Sequence, residues 1–382
     1  MLDPIIVSLV AATLGQVLLA CLLLTQRRQV DPAAQVLAVL LATVGIAILP
    51  PVVAAIWPGC LSVAIALTLP AALCCGPLLW FYSCALTAEQ AWQWQWQRVW
   101  HLLLPTLGLL IAVVAIALPR DLREALLLRG ELVGGTSLAL LVSVAFLLVL
   151  AWCAQTAIYL LMIYRQLARY RSRLKDLFAS NDSRELWWLT VFAGIVGSVW
   201  LLAVASLLLD SFANRRLLDG REAAGLGFVL VTFLASWGLR QQPGFTSRYL
   251  PAQPDVPEPT AKYQRSALDQ TRAERIAWKL KRAMTEDRLY LEPELSLFGL
   301  AERLGVPANY LSQTLNEHIG ECFFDHINRW RVDAAIPDIL AGDQSVLDVA
   351  LAVGFNSRST FYKAFRRATG QTPTAYRSRR AT

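Results

Sequence analysis

Seven stretches of this chain are too apolar, over too great a length, to stand as separate helices in water. They run at about 5–24, 33–57, 61–86, 102–118, 136–164, 186–209 and 223–239. A helix needs roughly 20 residues to cross the ~30 Å of hydrocarbon in a bilayer. The fourth and seventh runs, 17 residues each, fall a little short of that and the others reach it. The overall content, 56% hydrophobic and 16% charged, is set by these runs, because the last third of the chain has its charges spread as in a soluble domain. The expected architecture is therefore all-α, with a seven-helix transmembrane bundle over residues 1–240. A segment at 241–262 follows, carrying Pro243, Pro251, Pro254, Pro257 and Pro259, and reads as an extended spacer. Residues 263–382 make the soluble part.

Within the spans there is little that could do chemistry. No Asp, Glu, Lys or Arg lies deep in any of them, which argues against an ion or proton path. Pro50, Pro51, Pro70, Pro77 and Pro105 fall in or at the ends of spans, where each removes a backbone donor. The cysteines form no C-x-x-C pair, and most of them sit inside apolar runs as small hydrophobes. Trp92, Trp96 and Trp100 recur every four residues. They would share one helical face and anchor it at the headgroup level. Residues 165–178 mix basic residues with Leu167, Leu174 and Phe178. This stretch reads either as a surface helix on anionic lipid or as a cytoplasmic extension of the fifth span.

Near the C-terminus the pattern changes to capped, amphipathic helices. Ser345 can cap a helix with Asp348 at its third position, and Leu347, Ala350 and Leu351 follow at helical spacing. Gly354 supplies a turn. A second helix begins after Asn356, with Phe361 and Phe365 on its inner face. That leaves Arg358, Ser359, Tyr362, Lys363, Arg366 and Arg367 outward or flanking. From Phe355 to the end there are seven Lys/Arg and no Asp or Glu, a phosphate-binding footprint. The same helix–glycine–helix pattern occurs earlier. Ala301 and Gly305 stand four apart, as do Ala350 and Gly354, and Leu311 and Leu315 take the place of the two phenylalanines. Asn309, Ser312 and Gln313 are then left outward. The second turn is one residue longer than the first. A helix over 323–340 joins the two units, and Pro337 should bend or break it. Gly299 stands inside the first helix, where it costs about 1 kcal/mol relative to Ala.

Two helix-turn-helix units joined by a helix and ending in G-Q-T-P-T-A-Y-R resemble the DNA-binding domain of AraC-family transcription regulators. The resemblance covers about 273–380. It implies that Asn309, Ser312 and Gln313 from one unit, and Arg358, Ser359, Tyr362 and Lys363 from the other, enter successive major grooves. Gln313 would face adenine, and Arg358 or Lys363 guanine. Arg366, Arg367, Arg377, Arg379 and Arg380 would touch phosphate or solvate the surface.

A DNA-binding C-terminus must be cytoplasmic, so seven spans place the N-terminus outside. The loops then hold eleven Lys/Arg inside against six outside, in the direction of the positive-inside rule. The expected location is the bacterial inner membrane, multi-pass. The external loops are too short for a folded sensor domain, so a signal must be read by the bundle, by those loops or by a partner. Expected partners are double-stranded promoter DNA, the lipid bilayer, and an unidentified signal ligand or membrane protein. RNA polymerase and a second copy of the chain are further candidates. No catalytic residue, metal ligand or cofactor site is expected. There is no P-loop, G-x-G-x-x-G or G-x-S-x-G, and His101, His318 and His326 belong to no motif. The competing reading is a membrane receptor or transporter whose helix-turn-helix domain binds a protein.

Overall fold

The computed structural model describes residues 3–26, 32–88, 95–131, 135–179, 186–213, 219–241 and 270–378. The proline-rich segment, Trp92, the basic residues Arg27, Arg28, Arg184, Arg215 and Arg216, and the terminal Arg379 and Arg380 lie outside the described residues. Among the described residues the chain is helical and contains no strand, only a single isolated bridge between Phe178 and Ser296.

The chain divides into two compact units. One comprises residues 1–167 and 186–244, the other 168–185 and 245–382. The first unit opens with α1 (Pro4–Thr25), started by Pro4 and by the Asp3 carboxylate, which accepts from the Ile5 amide at 3.0 Å. α2 (Pro32–Ile48) turns by 54° into α3 (Pro50–Ile56), where the Pro50–Pro51 pair interrupts the helical hydrogen bonds. α4 (Leu61–Ala66) and α5 (Thr68–Leu86) divide the third apolar run. They are followed by α6 (Leu103–Ala117), α7 (Arg120–Glu124), α8 (Thr136–Leu177), α9 (Trp187–Ala213) and α10 (Gly220–Arg240). Among the described residues six helices are long and apolar enough to cross a membrane, or seven if α2 and α3 form one bent span. Arg221 at the start of α10 pairs with Asp3 at the start of α1, and the two helices pack together.

Pro77 lies inside α5, which continues through it. Proline has no N–H to give the carbonyl four residues back, and here α8 supplies the missing donor. Gln155 Nε2 donates to the Leu73 carbonyl at 3.0 Å, and Trp152 Nε1 donates to the Ala72 carbonyl at 3.2 Å. Side chains of a neighbouring helix commonly satisfy backbone freed in this way. Trp96 and Trp100 are 85% and 77% exposed, on a 3₁₀ segment, Trp96–Leu102. With three residues per turn, positions four apart do not share a face, so Trp96 and Trp100 do not stand together as expected for an α-helix.

α8 is 42 residues long, about 63 Å at 1.5 Å per residue, or twice a hydrocarbon layer. Of the two readings of 165–178, the helical extension is the one observed. The contacts divide at 244–245, close to the boundary drawn at 240 on composition, and they add the last residues of α8, within 168–185, to the second unit.

In the second unit, α11 (Gln270–Thr285) precedes the first helix-turn-helix, α12 (Leu297–Leu304) and α13 (Ala308–Gln313). α13 runs on as a π-helical segment, Thr314–Ile319. Next come α14 (Phe323–Ala341), then α15 (Val346–Ala352) and α16 (Arg358–Thr369) as the second helix-turn-helix, and α17 (Pro373–Ser378). There are two cores, and α14 serves both. Its Phe323 and Ile327 join Leu280, Leu300, Leu311 and Leu315, while its Val332, Ala335 and Ile339 join Val349, Phe355, Phe361 and Phe365. α14 runs through Pro337 without a break. Val332, Ala335 and Ile339, all fully buried, hold the helix on both sides of the proline, and this packing outweighs the local penalty.

Candidate nucleic-acid interface

Each helix-turn-helix is built from a cap, a left-handed glycine and a buried hydrophobic pair. Ser296 caps α12, accepting from the Gly299 amide at 3.1 Å. Gly299 thus occupies the first turn rather than the helix interior. Gly305 ends α12 at φ +62°, a conformation nearly closed to residues with a Cβ. Leu311 and Leu315 then point inward, fully buried. In the second unit Ser345 caps α15, accepting from the Asp348 amide at 3.1 Å. Gly354 has φ +91°, and a Cβ there would lie 2.7 Å from the Leu291 carbonyl oxygen. The glycine is therefore required twice, for its dihedral and for the close approach of the Leu291 backbone. The inner face of α15 is Val349, Ala350 and Val353. Leu347 and Leu351 are 44% and 50% exposed, so the Leu347–Ala350–Leu351 spacing named only one core residue. The helix is two turns long, and Val349 and Val353 are the residues aimed at α14.

Ser357 caps α16, accepting from the Thr360 amide at 3.2 Å. Phe361 and Phe365 are fully buried and meet edge-to-face at 5.4 Å. That fixes the outward face. Arg358, Ser359, Lys363, Arg366 and Arg367 are exposed and Tyr362 is half-buried. Arg358 is held in place: its Nη2 donates to the Tyr362 hydroxyl at 2.9 Å, and its guanidinium carbon lies 4.9 Å from that ring's centroid. The Tyr362 hydroxyl also meets the Thr374 hydroxyl of α17 at 3.0 Å. These bonds, to Thr374 first and then Arg358, pull the Tyr362 phenol below its usual range. Arg367 is paired with Asp325 of α14 at 2.5 Å. Arg377 is committed elsewhere. Its Nε donates to the Ile339 carbonyl at 3.1 Å and its Nη2 to the Gln344 carbonyl at 2.9 Å, closing the end of α14 in place of a phosphate contact.

In the first helix-turn-helix Asn309 is exposed, while Ser312 and Gln313 are half-buried. Gln313 Nε2 donates to Glu317 one turn on at 2.8 Å, and Asn316 Nδ2 donates to Ser312 Oγ at 3.4 Å. Exposed pairs at this spacing are worth about 0.2–0.5 kcal/mol. A bidentate contact to adenine discriminates by about 1–3 kcal/mol, so the Glu317 bond does not withhold Gln313 from a base. By the same measure an exposed ion pair, worth about 0–1 kcal/mol, leaves Arg367 available to a phosphate.

A family model described as a helix-turn-helix domain matches residues 300–379. The C-terminal unit carries an AraC-type helix-turn-helix domain. An uncharacterised HTH-type transcriptional regulator of Staphylococcus aureus is 35% identical over 92 residues, covering 24% of this chain and 12% of that protein. YtdP of Bacillus subtilis, likewise an uncharacterised HTH-type transcriptional regulator, is 29% identical over 89 residues, covering 23% of this chain and 12% of that protein. The chain thus spans about an eighth of the length of these curated relatives. Among solved structures, a Listeria innocua protein of unknown function is 30% identical, with 27% of this chain and 95% of that one covered and a TM-score of 0.25. The C-terminal domain of AraT, a response regulator from Geobacillus stearothermophilus, is 25% identical, with 30% and 89% covered and the same TM-score.

One residue of this AraC-type domain escaped the sequence reading. Arg331 of α14 is completely buried. Its Nε donates to the Tyr290 carbonyl at 2.7 Å, its Nη2 to the Glu292 carbonyl at 2.6 Å, and its Nη1 to the Ala179 carbonyl at 3.4 Å and Asn328 Oδ1 at 3.3 Å. Its guanidinium carbon stands 5.5 Å from the Phe355 ring centroid. Burial pushes the guanidinium down to about 10, which still leaves it charged at neutral pH. The signal was present: Phe323, Ile327, Arg331, Ala335 and Ile339 recur every four residues on the core face. His318 is exposed. His326 is buried, with Nδ1 2.9 Å from Glu321 and Nε2 accepting from Trp330, and burial lowers its pKa. Cys322 is pushed up to about 11 by burial, the state of an unreactive thiol.

Proposed function

We propose that this chain is a membrane-embedded, sequence-specific DNA-binding transcription regulator. In this reading the AraC-type domain binds promoter DNA on the cytoplasmic side of a bacterial inner membrane, and the apolar helices sense a signal there. The observation that carries the DNA-binding part is the outward face of α16. On it Arg358 is braced on Tyr362, which is braced in turn on Thr374, with Lys363 and Arg366 beside them and no exposed acid on the helix itself. A braced arginine loses less side-chain freedom when it pairs with a guanine edge. The names of the relatives support transcription regulation. The membrane part rests on the apolar helices and on large hydrophobic side chains standing outward, Leu18, Leu140 and Leu201 among them.

Selection of the full-length protein, held in lipid nanodiscs, against a randomised DNA pool tests this. Arg358→Ala is expected to flatten base preference at one or two positions, with about 1–3 kcal/mol of discrimination lost there. Arg366→Ala is expected to weaken all sequences alike and to reduce the salt slope by about one. A selected motif unchanged by Arg358→Ala, with salt-insensitive binding, would favour a protein partner for this domain. For the location, a reporter enzyme fused after Thr382 is expected to be active only when it is of the cytoplasmic type. Activity of a periplasmic reporter there would overturn the topology.

A further inference from the structure

α11 precedes the matched residues 300–379, yet it is packed onto them. Its Ile276 and Leu280 share the first core with Leu300, Leu311 and Leu315. Lys279 Nζ donates to the Leu304 carbonyl at 3.0 Å, which fixes α11 against the end of α12. Two turns back on the same side of α11 stands Arg272. Its guanidinium carbon lies 4.4 Å from the centroid of the Tyr310 ring. Tyr310 belongs to α13, between Asn309 and Leu311, and packs against the first core.

Other cations of α11 are already engaged. Arg282 is paired with Glu286 at 2.7 Å, and Lys279 is spent on a carbonyl. Arg272 is exposed, and among the described residues no carboxylate pairs with it. A guanidinium stacked on a ring turns its flat face to the ring and keeps its in-plane N–H groups for an anion. The ring beneath is held by the core, so the arginine loses less freedom when an anion arrives.

The position of this cation selects the anion. Tyr310 and Gln313 stand three apart on α13 and so lie along one side of it. A helix with its side chains is about 10–12 Å across, and the major groove is about 12 Å wide. A helix that enters the groove therefore fills it. A group lying against the helix's flank then meets the sugar–phosphate wall rather than a base edge.

We propose that Arg272 binds a backbone phosphate of the DNA, at the wall of the groove that α13 enters, so that α11 is part of the interface. The inference rests on the DNA-binding reading of this domain and deepens it. The stack on Tyr310 differs in use from that of Arg358 on Tyr362, which lies on α16 itself and is aimed at a base.

The test uses full-length protein in nanodiscs and duplexes of the sequence it selects, each with one phosphate replaced by a neutral methylphosphonate. For the parent, one replacement beside the base pairs whose preference Gln313→Ala flattens is expected to lower affinity about five- to tenfold at ~0.1 M salt. Arg272→Gln keeps the aliphatic stem and removes the charge. It is expected to bind that duplex as well as the unmodified one, to weaken all sequences alike, and to reduce the salt slope by about one. Lys281→Gln, nine residues on and on the opposite side of α11, is expected to leave both profile and slope as in the parent. A phosphate profile and salt slope unchanged by Arg272→Gln would overturn the contact. A selected motif altered by Arg272→Gln would overturn its assignment to the backbone. Both outcomes leave the DNA-binding reading standing. A parent without salt-sensitive, sequence-selective binding would sink that reading and this contact together.

Discussion

Arg331→Met is expected to unfold the C-terminal unit under conditions where the parent domain is stable. This guanidinium donates to three backbone carbonyls; that of Ala179 also accepts from Asn328 and that of Glu292 from the Leu295 amide, while that of Tyr290 is bonded by Arg331. Methionine fills much of the space and donates nothing. Hydrogen bonds from a charged donor are worth about 1.5–3 kcal/mol each, and a buried polar group left without a partner costs about 1–3 kcal/mol. Against a typical domain stability of about 5–15 kcal/mol, that is a large fraction. Arg331→Lys should retain little, because one ammonium cannot reproduce a planar fork reaching in three directions. The measurement is the urea midpoint of full-length protein, read by proteolysis of the 270–378 region, together with DNA affinity on the folded side of the transition. A midpoint unmoved by Arg331→Met would mean that water already serves these carbonyls.

Taking away residues 168–179 is expected to have the next largest effect. Ala179 is buried in the core of the second unit with Leu280, Leu300 and Phe323. Ala179 N–H donates to the Leu295 carbonyl at 3.1 Å, and its carbonyl accepts from Asn328 Nδ2 at 3.3 Å as well as from Arg331. A fragment of 262–382 on its own loses these bonds and the packing of Ala179 in the core, and each buried group left unpaired costs about 1–3 kcal/mol. With the unpaired groups added, it should be about 2–4 kcal/mol less stable than a complex with a peptide of residues 168–179. The peptide should raise the fragment's Tm in a concentration-dependent way, and a peptide carrying Ala179→Asp should not. In the full chain, Ala179→Asp should lower both the urea midpoint and DNA affinity. A fragment whose Tm ignores the peptide would show that the autonomous domain begins after 262, as composition alone suggested.

Much of the interface could be read from residue order. The Phe361–Phe365 pair fixes which side of α16 is inside, so Arg358, Ser359 and Lys363 had to be outside, and they are. What could not be read was how far each outward residue is already engaged. Tyr362 and Gln313 are half-buried and bonded to Thr374 and Glu317, and Arg377 is spent on the carbonyls of Ile339 and Gln344. Gln313–Glu317 is a local i,i+4 pair and could have been anticipated. Tyr362–Thr374 and Arg377–Ile339 join positions separated by a turn and a helix, and only the packing of α17 brings them together.

The sequence by itself determined the helices and their ends. Apolar run length, serine caps and glycines at positive φ act within a few residues of where they stand, through the helix's own hydrogen bonds and dihedrals. The apolar runs, the bent α2–α3 pair at Pro50–Pro51 and both helix-turn-helix units belong to this class. Tertiary structure alone decided three things. It carried α14 unbroken through Pro337 by burying both sides of it. It replaced the donor that Pro77 lacks with Gln155 from another helix. And it closed the core of the second unit with Ala179, about 150 residues away in the chain from Arg331 and Asn328. In each case the deciding partner is remote in sequence, and no local propensity carries information about it.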